Sequence, residues 1–291
     1  MAEKEIDRSL RKENRFLSTL KIMSRNPGAV VGAIIIVLIA IACIVVPLVS
    51  PYSYSDINPM EALQWPSEAH PFGTDRYGRD MLVRVAYGAR YTLSIGVFST
   101  LISLVLGTII GAAAGFFGGK VDNIIMRALD IIQAFPQMLM AIALSAVFGT
   151  GFDKTIIAIG LTSVPGFARL LRANILTVRR QEYIEAAVTI NCSTVRTIIT
   201  HALPNAISPL IVHTAMEVAH AGMTAAALSF IGLGVQESLP EWGSLLSGAR
   251  SYIRDYSYLC LFPGLAIMLS TLSFNLIGDG LRDALDPKLR R

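Results

Sequence analysis

Inside a long apolar run, His213, Glu217 and His220 stand at positions i, i+4 and i+7. At helical spacing these three share one face. An ionisable group at membrane depth is costly unless it faces a bundle interior or an aqueous cavity. Three chemistries suit such a face: lining or gating a transport path, forming a structural hydrogen-bond cluster, or holding a metal. The last lacks support, because no second carboxylate or orienting partner can be read from a neighbouring segment.

No catalytic constellation accompanies them. Gly119-Lys120 is followed by Val121 and lacks the leading glycine of a phosphate-binding loop, and no HExxH, GxSxG or GxGxxG falls in a usable context. The chain therefore reads as a non-enzyme, and any energy from ATP has to come from a partner. Cys43, Cys192 and Cys260 are odd in number, far apart and without CxxC spacing, which supports neither a disulfide framework nor a zinc site. Gly107, Gly111 and Gly115 make two overlapping GxxxG steps, and Gly222 with Ala226 repeats the logic. Small residues at this spacing let helices approach closely, either within one bundle or between two subunits.

The elements that must position these residues are membrane spans. Of 291 residues, 53% are hydrophobic and 16% charged, and the mean hydropathy is +0.55. Soluble domains carry about 25% charged residues. The net charge of +4 does not signal nucleic acid, because Lys and Arg lie between uncharged apolar runs rather than in one dense patch. Five runs are long enough to cross a bilayer: Gly28–Val49, Leu93–Phe117, Ile131–Phe152, Ile207–Leu233 and Tyr256–Gly278. A sixth, Thr155–Ala168, has 14 residues before Arg169 and contains Pro165, so it spans fully only if Arg169 and Arg172 snorkel at its end. With six spans and both termini inside, 18 basic residues lie inside against 7 outside; without the weak span the count is 11 against 14. The positive-inside rule selects six. Pro136, Pro165, Pro209 and Pro263 fit bent spans around a central path.

The polar prefix is too long for an ordinary cleavable signal, so the first run is expected to remain as an anchor. Before it, Leu10, Phe16, Leu17, Leu20 and Met23 fall near one helical face among basic residues, the pattern of an amphipathic helix on an anionic leaflet. The inner loop reads as two short helices. Glu182–Ile190 has Tyr183, Ile184, Ala187 and Val188 on one side, with Asn191 able to end it. Ser193 or Thr194 can cap the next, whose apolar residues are Val195, Ile198, Ile199 and Ala202 before Pro204. Such a helix–turn–helix is either a docking lever for a soluble partner or a connector packed on its own bundle.

Glu185-Ala186-Ala187, a long gap, then Leu203-Pro204 resembles the EAA motif of importer-type ABC permeases. The family spacing is kept, with Asn191 where that family has Gly and His201 where it has Ile. Asn is the next most tolerant residue at a left-handed helix end. A second block, His70-Pro71-Phe72-Gly73-Thr74-Asp75-Arg76-Tyr77-Gly78-Arg79-Asp80 with Tyr87-Gly88-Ala89-Arg90, resembles the dipeptide/oligopeptide/nickel permease family. Gly118-Gly119-Lys120-Val121-Asp122, Pro240-Glu241-Trp242-Gly243 and the ending from Gly278 to Pro287 are similar to its C-type subunit.

The resemblance implies an all-α polytopic protein with six transmembrane helices in the type I ABC importer (MetI-like) permease fold. Its divisions would be a cytoplasmic segment with the amphipathic helix over 1–27, a first span over 28–49, and an extracytoplasmic loop over 50–91. A permease core over 92–279 would carry the EAA loop at about 173–205, and a cytoplasmic tail would occupy 280–291. It further implies a heterodimer with a B-type permease, two cytoplasmic ABC ATPases that use ATP and Mg, and an extracytoplasmic binding protein. No cofactor would be bound by this chain. The place implied is a bacterial inner membrane, and the cargo a dipeptide or oligopeptide, with nickel, another metal chelate or glutathione as alternatives. Glu185, Ala186, Ala187 and Asn191 would couple to the ATPases, and Leu203-Pro204 would set the exit into the fifth span. A self-contained secondary transporter is the rival, and it would show internal repeats, which are not found.

Overall fold

Lipid offers no partner to a free peptide group, so each long apolar run must close its own hydrogen bonds as a helix. The computed structural model describes residues 15–285. Its helices are α1 (Arg15–Met23), α2 (Pro27–Val49), α3 (Met81–Phe117), α4 (Gly119–Gln133), α5 (Gln137–Phe148), α6 (Phe152–Val178) and α7 (Glu182–Thr189). There follow α8 (Thr194–Thr197), a π-helical stretch Ile198–Ala202, α9 (Leu203–Ala206), α10 (Ser208–Phe230), α11 (Trp242–Ala249) and α12 (Tyr258–Leu285). Among the described residues the only β pairing is an isolated bridge between Thr74 and Asp80.

Four helices, α2, α3, α6 and α12, are long and apolar enough to cross a membrane, and the α4–α5 pair makes five if counted as one crossing. The 23-residue α10 carries His213, Glu217 and His220 and packs against α3, α6 and α12. With it the bundle has six, compatible with the six-span reading.

Three expected spans differ from the observed helices. The run Ile131–Phe152 is not one helix: α4 stops at Gln133, α5 starts at Gln137, and the two are bent by 85°. Pro136 causes the break, because it disfavours helical backbone at Phe135 and has no N–H to give. The run Thr155–Ala168 is the middle of a 27-residue helix that continues through Pro165 to Val178. Arg169 and Arg172 do not end it by snorkelling. Instead Arg169 pairs with Asp130, and Arg172 grips Asp122 through Nε at 2.8 Å and a terminal nitrogen at 2.5 Å. Both carboxylates come from α4. The third difference is that α3 begins at Met81 rather than Leu93, its first turn capped by Asp80, which accepts from the Val83 N–H at 2.8 Å. Its 37 residues span about 55 Å, well beyond a hydrocarbon core of about 30 Å, so the N-terminal turns project outside it.

In α1, Leu20 is exposed, and with Met23 it lines an apolar groove against Val30 and Ile34 of α2. Leu10 and the side chains of Phe16, Leu17 and Val188 lie outside what is described.

The glycine triplet packs within the chain's own bundle. A Cβ on Gly107 would overlap the Phe167 Cβ, one on Gly111 the Ala168 carbonyl oxygen, and one on Gly115 would come 2.9 Å from the Ile175 Cβ. This face of α3 is therefore covered by α6 and is not a subunit interface.

The HPFGTDRYGRD segment ties together the helix ends on its side of the bundle. His70 Nδ1 lies 2.8 Å from Asp80, and Asp75 accepts from the Tyr77 N–H at 2.8 Å and from Arg79 Nε at 2.6 Å. Arg84, fully buried, donates to the Tyr54 and Glu237 carbonyls at 2.9 and 3.2 Å, and Arg76 reaches the Glu237 carboxylate at 2.5 Å. Glu237 sits between α10 and α11, so this network clamps the loop before α3 to the loop between α10 and α11. Glu241 caps α11, accepting from the Gly243 and Ser244 N–H groups at 2.9 Å each. Burial pushes its carboxyl upward, and those N–H donors together with Ser229 and Thr92 oppose the rise. Trp242, 1% exposed, donates from its indole to the Val85 carbonyl at 2.8 Å. Trp242→Ala is expected to lower stability by about 3–5 kcal/mol and to orphan that carbonyl, which thermal unfolding of the purified complex would register.

Candidate coupling surface and membrane cavity

The loop between α6 and α10 has two faces. On one, Ile184 and Ala187 of α7 are buried, and Ile184 clusters with Phe167, Leu171, Ala202 and Leu210. That cluster fixes α7 to α6 and to the start of α10. On the other, Glu185 and Ala186 are exposed, and so are Ile190 (80%) and Val195 (65%), with Tyr183 and Ile199 beside them in sequence and also open. Of the apolar residues after Ser193, Val195 and Ile199 are exposed, whereas Ile198 and Ala202 join the buried cluster. A period of 3.6 cannot be carried across the π-helical stretch, which winds more residues into each turn.

Asn191 ends α7 in the left-handed region, at φ +58°. The Cys192 N–H then reaches back to the Ala187 carbonyl at 3.1 Å and the Ile190 N–H to that of Ala186 at 3.1 Å. Six-residue closure of this kind satisfies carbonyls a helix end otherwise leaves free. Leu203 packs on the inner-loop cluster, while the exposed Pro204 occupies the first turn of α9, where its missing N–H breaks no bond.

A cavity of about 420 Å³ opens where the α4–α5 break meets α6 and α10, lined by Phe135, Pro136, Gln137, Ser163, His213 and Glu217 among others. Glu217 is 9% exposed. It accepts from the Ser163 hydroxyl at 2.6 Å, and Ser163 in turn accepts from the Gln137 side-chain amide at 2.8 Å. The His213 ring lies 4.6 Å from that of Phe167, centroid to centroid. The structure thus brings His213 and Glu217 to one cavity. His220, two turns further from His213, is exposed and does not line it. Sequence reasoning missed Ser163 and Gln137; the signal for Gln137 was a Gln-Ala-Phe-Pro-Gln break inside an apolar run. Among the described residues no three His, Cys, Asp or Glu side chains are placed to hold a metal ion.

Comparison with known proteins gives consistent results. Residues 107–291 match the family described as "Binding-protein-dependent transport system inner membrane component", and residues 16–66 match "N-terminal TM domain of oligopeptide transport permease C". The chain is 44% identical to a dipeptide transport system permease protein DppC of Alkalihalophilus pseudofirmus, over 93% of this chain and 89% of that one. It is 40% identical to a glutathione transport system permease protein GsiD of Pectobacterium atrosepticum, over 93% and 90%. To a di/tripeptide permease DppC of Pseudomonas aeruginosa it is 41% identical, over 92% and 90%. In fold it is similar to a chain of the MetNI methionine ABC transporter in an inward-facing conformation, with a TM-score of 0.59 at 16% identity, covering 71% of this chain and 98% of that one.

Proposed function

Because the chain belongs to the family of binding-protein-dependent transport system inner membrane components, a multi-pass membrane permease rather than an ATPase, we propose that it forms half of the path by which an ABC importer takes up short peptides. The other half would be a B-type permease. Two cytoplasmic ATPases would supply the energy with ATP and Mg, an extracytoplasmic binding protein would deliver cargo, and both termini would lie in the cytoplasm. No cofactor is assigned to this chain. The family assignment sets aside a self-contained secondary transporter.

The observation that carries this reading is the two-faced inner loop. Its buried side is anchored by Ile184, which clusters with residues of α6 and α10, and its open side, Glu185, Ala186 and Ile190, is left for a partner. A rigid lever with one bonded and one free face transmits motion in a way a tethered loop does not. Closure of the ATPases on ATP would pull α7 and tilt the bundle between inward and outward openings. ATP can shift that equilibrium only through its different interaction with the two states. Glu185, Ala186, Ala187 and Asn191 are assigned to this coupling, with Leu203 and Pro204 holding the exit into α10.

Peptide is the cargo that the dipeptide and di/tripeptide relatives support, and glutathione, named for another relative, is itself a short peptide. Mild-detergent purification of the tagged chain from its native membrane, followed by mass spectrometry, tests the assembly. A second permease and two Walker-motif ATPases are the expected companions. A chain that purifies alone and transports in ATP-free vesicles overturns it.

A further inference from the structure

The cavity at the α4–α5 break holds a carboxylate without a countercharge. Glu217 is nine-tenths buried, and no Lys, Arg or His nitrogen among the described residues lies within 4 Å of its oxygens. The arginines further along α6, Arg169 and Arg172, are paired with Asp130 and Asp122 of α4. A buried acidic group in a membrane span is normally paired or faces an aqueous path, and the hydrogen-bond partner of this one is the Ser163 hydroxyl. The direction of those hydrogen bonds matters. Gln137 donates to Ser163, so the Ser163 hydroxyl proton is free to point at Glu217 Oε1. One carboxylate oxygen is thus fixed as an acceptor. The other has no hydrogen-bond partner among the described residues and belongs to a side chain that lines the open space.

The volume, about 420 Å³, lies within the range of small-molecule sites, and the walls are chemically mixed: Phe135, Pro136 and Met140 supply apolar surface beside the polar Gln137, Ser163 and Glu217. Gly166 is among its lining residues. A Cβ there would stand 3.8 Å from His213 Nε2, on the cavity side of α6. His213 is held against Phe167 rather than against Glu217, so it does not fill the role of countercharge.

We propose that Glu217, oriented by Ser163 and Gln137, receives the protonated amino group of the cargo as it passes, making this cavity a transient ammonium subsite on the translocation path. The proposal rests on the peptide-importer reading and deepens it. A primary ammonium is the partner that completes a half-paired carboxylate, because it brings a full positive charge and three donors into a cavity whose side chains already supply acceptors. The site would act on passage rather than on delivery, so it should set how much cargo moves per ATP and not how well the loaded binding protein docks.

The test uses the complete transporter, both permeases, both ATPases and binding protein, in proteoliposomes with alanyl-alanine as the probe. Uptake and ATP hydrolysis are read together at saturating loaded binding protein. For Glu217→Gln, alanyl-alanine moved per ATP should fall about tenfold or more, the loss of one charged hydrogen-bonded contact. Its stimulated ATPase rate and the half-saturating concentration of binding protein should stay within about twofold of wild type, and Glu217→Asp should restore most of the uptake. Ser163→Ala keeps the charge but frees the carboxylate to rotate, so a smaller loss in the same ratio is expected. It serves as the second measurement if Glu217→Gln fails to assemble. An unchanged ratio in Glu217→Gln, or a parallel fall of uptake and ATPase that Glu217→Asp does not rescue, overturns the subsite. Wild-type vesicles that hydrolyse ATP in response to loaded binding protein yet accumulate no dipeptide sink the cargo reading instead, and the two failures are separate.

Discussion

Gly111→Val should leave too little assembled bundle to assay. The Cβ of any larger residue at this position would overlap the Ala168 carbonyl oxygen and sit 3.0 Å from the Ala168 Cα, and both of these are backbone atoms. A flexible side chain could swing aside, but a helix backbone can yield only by moving the whole of α6 away from α3. That displacement would also open the contacts of Gly107 and Gly115 with Phe167 and Ile175 on the same seam. Overpacking a dense interior costs about 1–3 kcal/mol even where neighbours adjust; here two rigid helices would have to part, so the loss should exceed about 3 kcal/mol. Total stabilities are only about 5–15 kcal/mol. The measurement is the yield and melting temperature of the detergent-purified complex. Gly264→Ala is the control, because nothing lies within 4 Å of a Cβ placed there and alanine is the better helix former by about 1 kcal/mol. If Gly111→Val melts with the wild type, the seam is not a tight contact. If Gly264→Ala is as damaging as Gly111→Val, bulk in any span would be the cause rather than this contact.

That seam was legible in the sequence as spacing, but its partner was not. Two overlapping GxxxG steps announce a close approach without saying whether the neighbour is an intrachain helix or another subunit. Only the position of Ala168 decides it. The left-handed end of α7 was legible down to the residue, because few side chains other than Asn and Gly tolerate φ +58°. What composition hid was pairing across the bundle. Arg169 and Arg172 read as the natural end of a short span, since a charge in lipid is costly. Asp122 and Asp130, some forty to fifty residues earlier in the chain, remove that cost once α4 lies beside α6. The polar companions of Glu217 were hidden in the same way. Ser163 and Gln137 come from two different helices, and no periodicity within either one connects them to α10. His220 shares a helical face with His213, but two turns carry it past the end of this cavity.

Glu185→Arg should abolish transport while leaving the bundle intact, and the contrast between these two outcomes is what gives the substitution its meaning. Glu185 is exposed, and its carboxylate makes no hydrogen bond or ion pair within the described residues. Nothing among the described residues therefore needs its charge, and surface changes away from structural features alter stability by no more than about 0.5 kcal/mol. A partner that meets α7 through this face would instead find a carboxylate replaced by a longer cation beside the apolar Ile190 and Val195. Reversing a charge at an interface leaves the opposing group unpaired and desolvated, at a cost of about 2–5 kcal/mol, enough to lower partner occupancy and uptake about a hundredfold. The readouts are co-purification of the ATPases, peptide uptake in vesicles, and the melting temperature of the permease. Ile184→Ala, one residue away but 2% exposed, should give the inverse pattern. It leaves the open face unaltered and opens a void in the cluster with Leu171 and Leu210, costing about 2–5 kcal/mol of stability. If Glu185→Arg melted early with its ATPases still bound, the charge would be serving the fold and the open face would not be the docking side. The neighbours Ile184 and Glu185 would thus separate the two jobs proposed for α7, the first holding the lever to the bundle and the second offering it to whatever pulls.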